Sequence, residues 1–192
     1  MTSNVGETNR KLTGWSHVRA VLALPFMNTV VIPTILLVSF RDARLFSGNT
    51  TAEAAAIAVA LPFLAVGLTL VSRAIMLFVS RGHGTLAPWD PTEVLITEDI
   101  YRFSRNPMKA GLFLVLIGEA VLLRSTAVTV WALTFIVVNA AYIRLSEEPG
   151  LRARFGDDYT AYCRAVPRWF PLLPARRTGE PQAGRPSSAS TS

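Results

Sequence analysis

Charge, histidine and cysteine are scarce in this chain: charged residues make up 17% of 192, with two histidines and one cysteine. Each shortage excludes something. Cys163 alone rules out an internal disulfide framework and any CxxC metal or redox site, and leaves the redox compartment open. His17 and His83 stand without a second ligand at metal spacing, so no metal site is expected. What the chain has instead is apolar. Hydrophobic residues reach 51% and gather into long blocks, a membrane profile. The 19 Lys and Arg outnumber 13 Asp and Glu, for a formal charge of +6, and basic surfaces attract polyanions. Here, however, the basic residues flank the apolar blocks, without the interleaved aromatics of a single-strand platform and without a zinc or helix-turn-helix signature. Nucleic acid is therefore not an expected partner.

A hydrocarbon core about 30 Å thick takes about 20 apolar residues in a helix. Candidate spans run from Val18 to Phe40, with Pro25 and Pro33 expected to kink it, and from Ala54 to Val79, with Pro62 inside and Arg73 placed to snorkel. Ala110–Leu123 is short and Thr126–Leu145 long enough; with only Arg124-Ser125 between them they read as a tight helical hairpin. Asn106 as N-cap and Pro107 as first helical residue lengthen the third span by a turn. The expected fold is an all-α integral membrane bundle of about four transmembrane helices with a C-terminal amphipathic helix. A polar segment, 1–17, precedes the membrane domain, 18–175, and Arg, Gly, Pro and Ser in 176–192 read as a disordered tail. Residues 1–16 contain Glu7 and no short apolar core with a cleavage site, so the first apolar block reads as an anchor rather than a signal peptide.

Lys and Arg in the loops set orientation. With four spans, Arg10, Lys11, Arg19, Arg81, Arg102, Arg105, Lys109 and the Arg-rich C-terminus share one side, against Arg41, Arg44 and Arg124 on the other. Both termini are expected to be cytoplasmic, in a multi-pass protein of a bacterial plasma membrane. Residues 82–99 read as a loop over that face, and Glu147–Ala165 as an amphipathic helix presenting Leu151, Phe155, Tyr159 and Tyr162 at helical spacing.

Two polar motifs fall on this face. Arg105-Asn106-Pro107 is a helix start whose free N–H groups, with the arginine beside them, suit a carboxylate or phosphate. Glu147-Glu148-Pro149 puts adjacent carboxylates just past a span; they suit a helix N-terminus and equally a cationic or hydroxyl-bearing ligand. Glu119 lies inside the third span, where an ionised carboxylate is costly, and is expected to pair with an arginine or to lie near the far interface. Gly82-His83-Gly84 is a lone GxG without a preceding strand, so a soluble dinucleotide site is not expected. Cys163 reads as a packing residue.

The order of Gly82-x-Gly84-Thr85, Pro88, Pro91, Tyr101-Arg102, Arg105-Asn106-Pro107-Met108, Gly111, Glu147-Glu148-Pro149, Phe155-Gly156, Tyr159, Tyr162 and Val166-Pro167-Arg168-Trp169-Phe170-Pro171 resembles the isoprenylcysteine carboxyl methyltransferase and phospholipid methyltransferase superfamily of membrane enzymes. The resemblance covers about residues 82–171. It implies S-adenosylmethionine as methyl donor, bound without a Rossmann sheet, with Arg105, Asn106, Pro107, Met108, Gly111, Glu147 and Glu148 holding it and Glu148, Tyr159 and Arg168 as catalytic candidates. A carboxylate acceptor would be oriented by Arg168; an amine would need a base, Glu148 or Tyr159. The implied partner is a lipid or hydrophobic small-molecule acceptor entering from the membrane. Lys109-Ala110 stands where many relatives have an aromatic followed by an aliphatic, a departure that bears on substrate choice. Two competing readings are an NADPH-dependent membrane reductase with a similar layout and a membrane scaffold binding anionic lipid through its basic C-terminus.

Overall fold

The computed structural model describes residues 25–44, 48–81 and 97–169, with Ala23 and Leu95. The polar N-terminal segment, most of the 82–99 loop and the C-terminal tail lie outside the described residues. Within them every regular element is helical: a π-helical turn Met27–Val31 leading into α1 (Ile32–Phe40), then α2 (Thr50–Arg81), a 3-10 turn Asp99–Arg102, α3 (Pro107–Leu123), α4 (Thr126–Tyr142), a π-helical segment Ile143–Glu147 and α5 (Glu148–Ala165).

Helix boundaries follow local chemistry. Asn49 caps α2, its Oδ1 accepting from the Ala52 N–H at 3.1 Å and so satisfying an orphan donor of the first turn, while Glu53 reaches back to accept from the Gly48 N–H at 3.1 Å. Pro62 is accommodated inside α2, and Pro33 lies in the first turn of α1. α3 opens at Asn106-Pro107 as the sequence predicts, though the Asn106 side chain makes no cap bond. It closes at Arg124 in the left-handed conformation (φ 51). Ser125 then caps α4, accepting from the Val128 N–H at 3.2 Å.

Close packing centres on α2 and α3. Gly67 and Gly111 face each other so tightly that a Cβ on either would stand 2.8 Å from the other's carbonyl oxygen. A Cβ on Gly118 would stand 2.8 Å from the Leu64 side chain, and Ala60, Val71, Ala74, Leu116 and Ala120 are buried in the described structure. Small residues let helix backbones approach, the form of contact that holds helices together where the surroundings are as apolar as the side chains. By length and composition two helices are suited to crossing a membrane, Thr50–Leu77 and the continuous helical stretch beginning at Thr126. In that stretch the apolar run ends at Leu145 and a charged segment follows. Their outer faces carry exposed Leu61, Val66, Leu68, Val130, Leu133 and Val137.

The end of the hairpin between α3 and α4 is tied to α1. Asp42 accepts from Ser125 Oγ at 2.6 Å and from the Ala127 N–H at 2.9 Å, and the Trp131 indole donates to the Asn28 carbonyl at 3.1 Å. At the opposite end the chain does not break after α4. It runs through the π-helical segment, where the Glu148 N–H bonds to the Ile143 carbonyl, directly into α5. This differs from the separate helix expected at Glu147. α5 bends at Gly156 (φ 54, ψ −122), a conformation open in practice to glycine alone. Tyr159, Tyr162 and Val166 beyond the bend pack with Leu95, Leu151, Phe155 and Cys163. Val166 is extended, and the chain past it returns over the start of α3.

Candidate active site

The return of the chain after α5 builds the site. The Arg105 N–H donates to the Pro167 carbonyl at 3.0 Å, Ser104 Oγ to the Arg168 carbonyl at 3.1 Å, and the Trp169 ring lies 5.4 Å from that of Phe113. Ser104 Oγ also accepts from the Asn106 N–H at 3.2 Å. Tyr162 Oη donates to the Tyr101 carbonyl at 2.7 Å, fixing α5 to the 3-10 turn. These bonds clamp the segment before α3 between α5 and the returning chain.

Glu148 sits at the centre with its side chain 6% exposed. Arg168 clasps it in a fork, Nε to Oε1 and Nη2 to Oε2, both 2.7 Å. Arg105 adds a third bond, Nη1 to Oε1 at 3.0 Å, and donates to the Cys163 sulfur at 2.8 Å. The hydrogen bonds from Arg168, and then the charges of Arg105 and Arg168, outweigh desolvation and hold the Glu148 carboxyl below the usual carboxylate range. Its bond to Glu148 raises Arg168 in turn. Arg105 Nε is buried with no hydrogen-bond partner in the described structure.

Glu147, one residue earlier, has a different partner. It pairs with Lys109, in the first turn of α3, whose ammonium lies 5.1 Å from the centre of the Tyr142 ring. Tyr159 is buried beside this cluster, against Tyr162 at 6.2 Å between rings. Burial, with the nearby Cys163 thiol and Glu148 carboxylate, pushes its phenol up to about 12. Burial likewise raises Tyr101 and Tyr162.

Of the residues the sequence singles out, Arg105, Glu148 and Arg168 meet directly, with Tyr159 alongside and Glu147 adjacent. Met108 is half-buried and Pro107 fully buried at the head of α3. Gly111 lies a turn deeper, at the crossing with Gly67, where close packing accounts for it. The sequence places Lys109 among the basic residues of this face and as a departure from the family pattern; its pairing with Glu147 and stacking on Tyr142 depend on side chains far apart in the chain. Cys163, read as packing, also accepts from Arg105. Glu119 has no arginine partner among the described residues, and its Oε2 is buried without a hydrogen bond. No group of three His, Cys, Asp or Glu suited to a metal occurs among the described residues.

The fold and site define a helical protein of membrane type with an ion-paired cluster where the chain enters α3 and leaves α4. The phospholipid methyltransferase family matches residues 55–158, and the chain belongs to that family. It is 32% identical over 119 residues to a protein-S-isoprenylcysteine O-methyltransferase of Schizosaccharomyces pombe, a stretch covering 60% of this chain and 49% of the relative. The chain thus spans about half the length of that relative. No solved structure matches it.

Proposed function

We propose that this protein is a multi-pass membrane methyltransferase that takes a methyl group from S-adenosylmethionine and passes it to a hydrophobic or lipid-like acceptor at the cytoplasmic face. The observation that carries this reading is the convergence of Glu147, Glu148, Arg105 and Arg168 at one end of the apolar helices, in a chain of this family. The donor set fits the cofactor. S-adenosylmethionine carries a sulfonium, an ammonium and a carboxylate, and the cluster offers two carboxylates beside an arginine whose Nε has no partner. Glu147 would face its cationic groups, with Glu148 beside it holding Arg105 and Arg168 in place, and Arg105, with Asn106 and the head of α3, would face its carboxylate. When bound, the cofactor supplies an activated methyl group; the protein's work is positioning and exclusion of water.

The choice of acceptor is supported by the state of the two candidate bases near neutral pH. Glu148, held below the usual range, and Tyr159, pushed up to about 12, are both poor proton acceptors there. An acceptor that is already anionic, such as an isoprenylcysteine-type carboxylate, needs no base and is favoured over an amine. Arg168 would orient it, keeping part of its fork on Glu148. The exposed apolar faces of α2 and α4 give a hydrophobic tail a route in from the membrane. The test is incubation of membranes containing the protein with methyl-labelled S-adenosylmethionine. The expected result is label in an organic-extractable product that base hydrolysis releases as methanol, as a methyl ester requires. Label stable to base would assign an amine acceptor, and saturable NADPH binding without S-adenosylmethionine binding would overturn the reading.

A further inference from the structure

Lys109 stands where its charge is unfavourable. It is the third residue of α3, in the first turn, where free N–H groups create a positive potential that favours acidic residues. The chain uses lysine at Lys11 and Lys109 and otherwise arginine. Glu147 offsets the cost through its ion pair, with the Tyr142 ring beneath the ammonium. Residues that break a local rule concentrate at functional sites.

The two adjacent carboxylates are held differently. Glu148 is 6% exposed and fixed by three bonds from two guanidiniums. Glu147 and Lys109 have side chains 32% and 24% exposed, and one ammonium on a flexible stem makes the contact. A planar fork is pre-organised and hard to replace, whereas a single ammonium exchanges with another cation at little loss. Glu147 is thus the carboxylate that an incoming cation can claim, and Lys109 is what it must displace.

We propose, resting on the methyl-donor reading above, that Lys109 is a built-in counter-cation that competes for Glu147 and thereby sets the site's selectivity between the charged sulfonium donor and its neutral thioether product. Lys109 acts through Glu147 as a positioning residue. S-adenosylmethionine and S-adenosylhomocysteine differ by a methyl group and one positive charge, so the change in their affinity ratio between variants isolates the charge effect of Lys109. While Lys109 neutralises Glu147, the site discriminates weakly between them and holds the donor loosely. Freed of Lys109, Glu147 favours the donor.

The experiment is calorimetric titration of the purified full chain in nanodiscs with each compound, for wild type, Lys109→Met, Lys109→Arg, Glu147→Gln and the double variant Glu147→Gln/Lys109→Met. Lys109→Met is expected to tighten S-adenosylmethionine by about fivefold, the scale of a partly exposed ion pair, and to change S-adenosylhomocysteine by less than about twofold. Lys109→Arg keeps the wild-type ratio, and in the Glu147→Gln background Lys109→Met leaves the ratio unchanged. Lys109→Gln carries the same expectation should the Met variant fail to fold. Equal shifts for both compounds, an unmoved ratio, or the same shift without Glu147 would overturn the proposal while leaving the methyl-donor reading standing. Failure of the wild type to bind either compound overturns that reading, and the inference with it.

Discussion

Glu148 is held from two sides, by Arg105 at the head of α3 and by Arg168 beyond the end of α5, so one carboxylate joins parts of the chain 43 and 20 residues away. Removing its charge leaves two guanidiniums close together with no anion between them. Glu148→Gln is expected to lower stability by about 3 kcal/mol, the range for breaking a buried ion pair from one side, read as a fall in thermal midpoint. The pH dependence follows from the direction of its shift. The folded carboxyl titrates below its ordinary 4.5, so its stabilisation is complete above about pH 4.5 and is lost as pH falls through the lower folded value. The gap in midpoint between wild type and Glu148→Gln is therefore expected to be constant at and above about pH 6 and to narrow under acid; a gap that widens there would contradict the pairing. Span parity put Arg105 and Glu148 on one face, and family resemblance added Arg168 to the same candidate site. Their mutual bonding was not legible, because it depends on the bend at Gly156 and on the extended Val166 that turns Arg168 back.

At the scale of elements, the start of α3 at Asn106-Pro107, the tight Arg124-Ser125 turn and the helical path of α2 were legible, because apolar blocks and cap residues are local signals. The junction between α4 and α5 was not. Glu147-Glu148-Pro149 has the acidic residues and proline of a helix start, yet the backbone passes through it by shifting to the wider π-helical spacing ahead of Pro149. Two of the glycines that shape this architecture, Gly111 and Gly156, do so for different reasons, and substitution separates them. At Gly111 an added Cβ would press on the Gly67 carbonyl at 2.8 Å and on Val71 at 2.9 Å, so Gly111→Ala is expected to cost about 1–3 kcal/mol through overpacking. At Gly156 nothing lies within 4 Å of an added Cβ; Gly156→Ala is expected to cost about 1–3 kcal/mol from backbone strain alone. The measurement is denaturant unfolding of both variants in a Gly67→Ala background. Gly111→Ala should be non-additive with Gly67→Ala, since each acts on the same contact, and Gly156→Ala additive. Additivity at Gly111 would remove the helix crossing as its role.

For the whole molecule, polarity divides by position along the helices. Arg41, Asp42, Arg44 and Arg124 gather at one end; Arg105, Lys109, Glu147, Glu148 and Arg168 gather at the other; and between them α2 and α4 expose apolar side chains. That both motifs meet at one end was legible from span parity: a chain entering α3 and leaving α4 does so on the same side. The number of crossings was less so. α3 is 17 residues long, about 25 Å at 1.5 Å per residue, and much of it is buried by its neighbours. It is the inner helix of the bundle, and its short length suits contact with protein more than with lipid. The proposed orientation puts the site in the cytoplasm, since basic residues predominate on that face. It is tested with single cysteines in a Cys163→Ala background, one at Ala43→Cys near the end carrying Asp42 and one at Phe103→Cys beside the site, both exposed. In intact cells a membrane-impermeant maleimide is expected to label Ala43→Cys at once and Phe103→Cys only after permeabilisation. The opposite pattern would invert the protein, which would cut the site off from a cytoplasmic methyl donor.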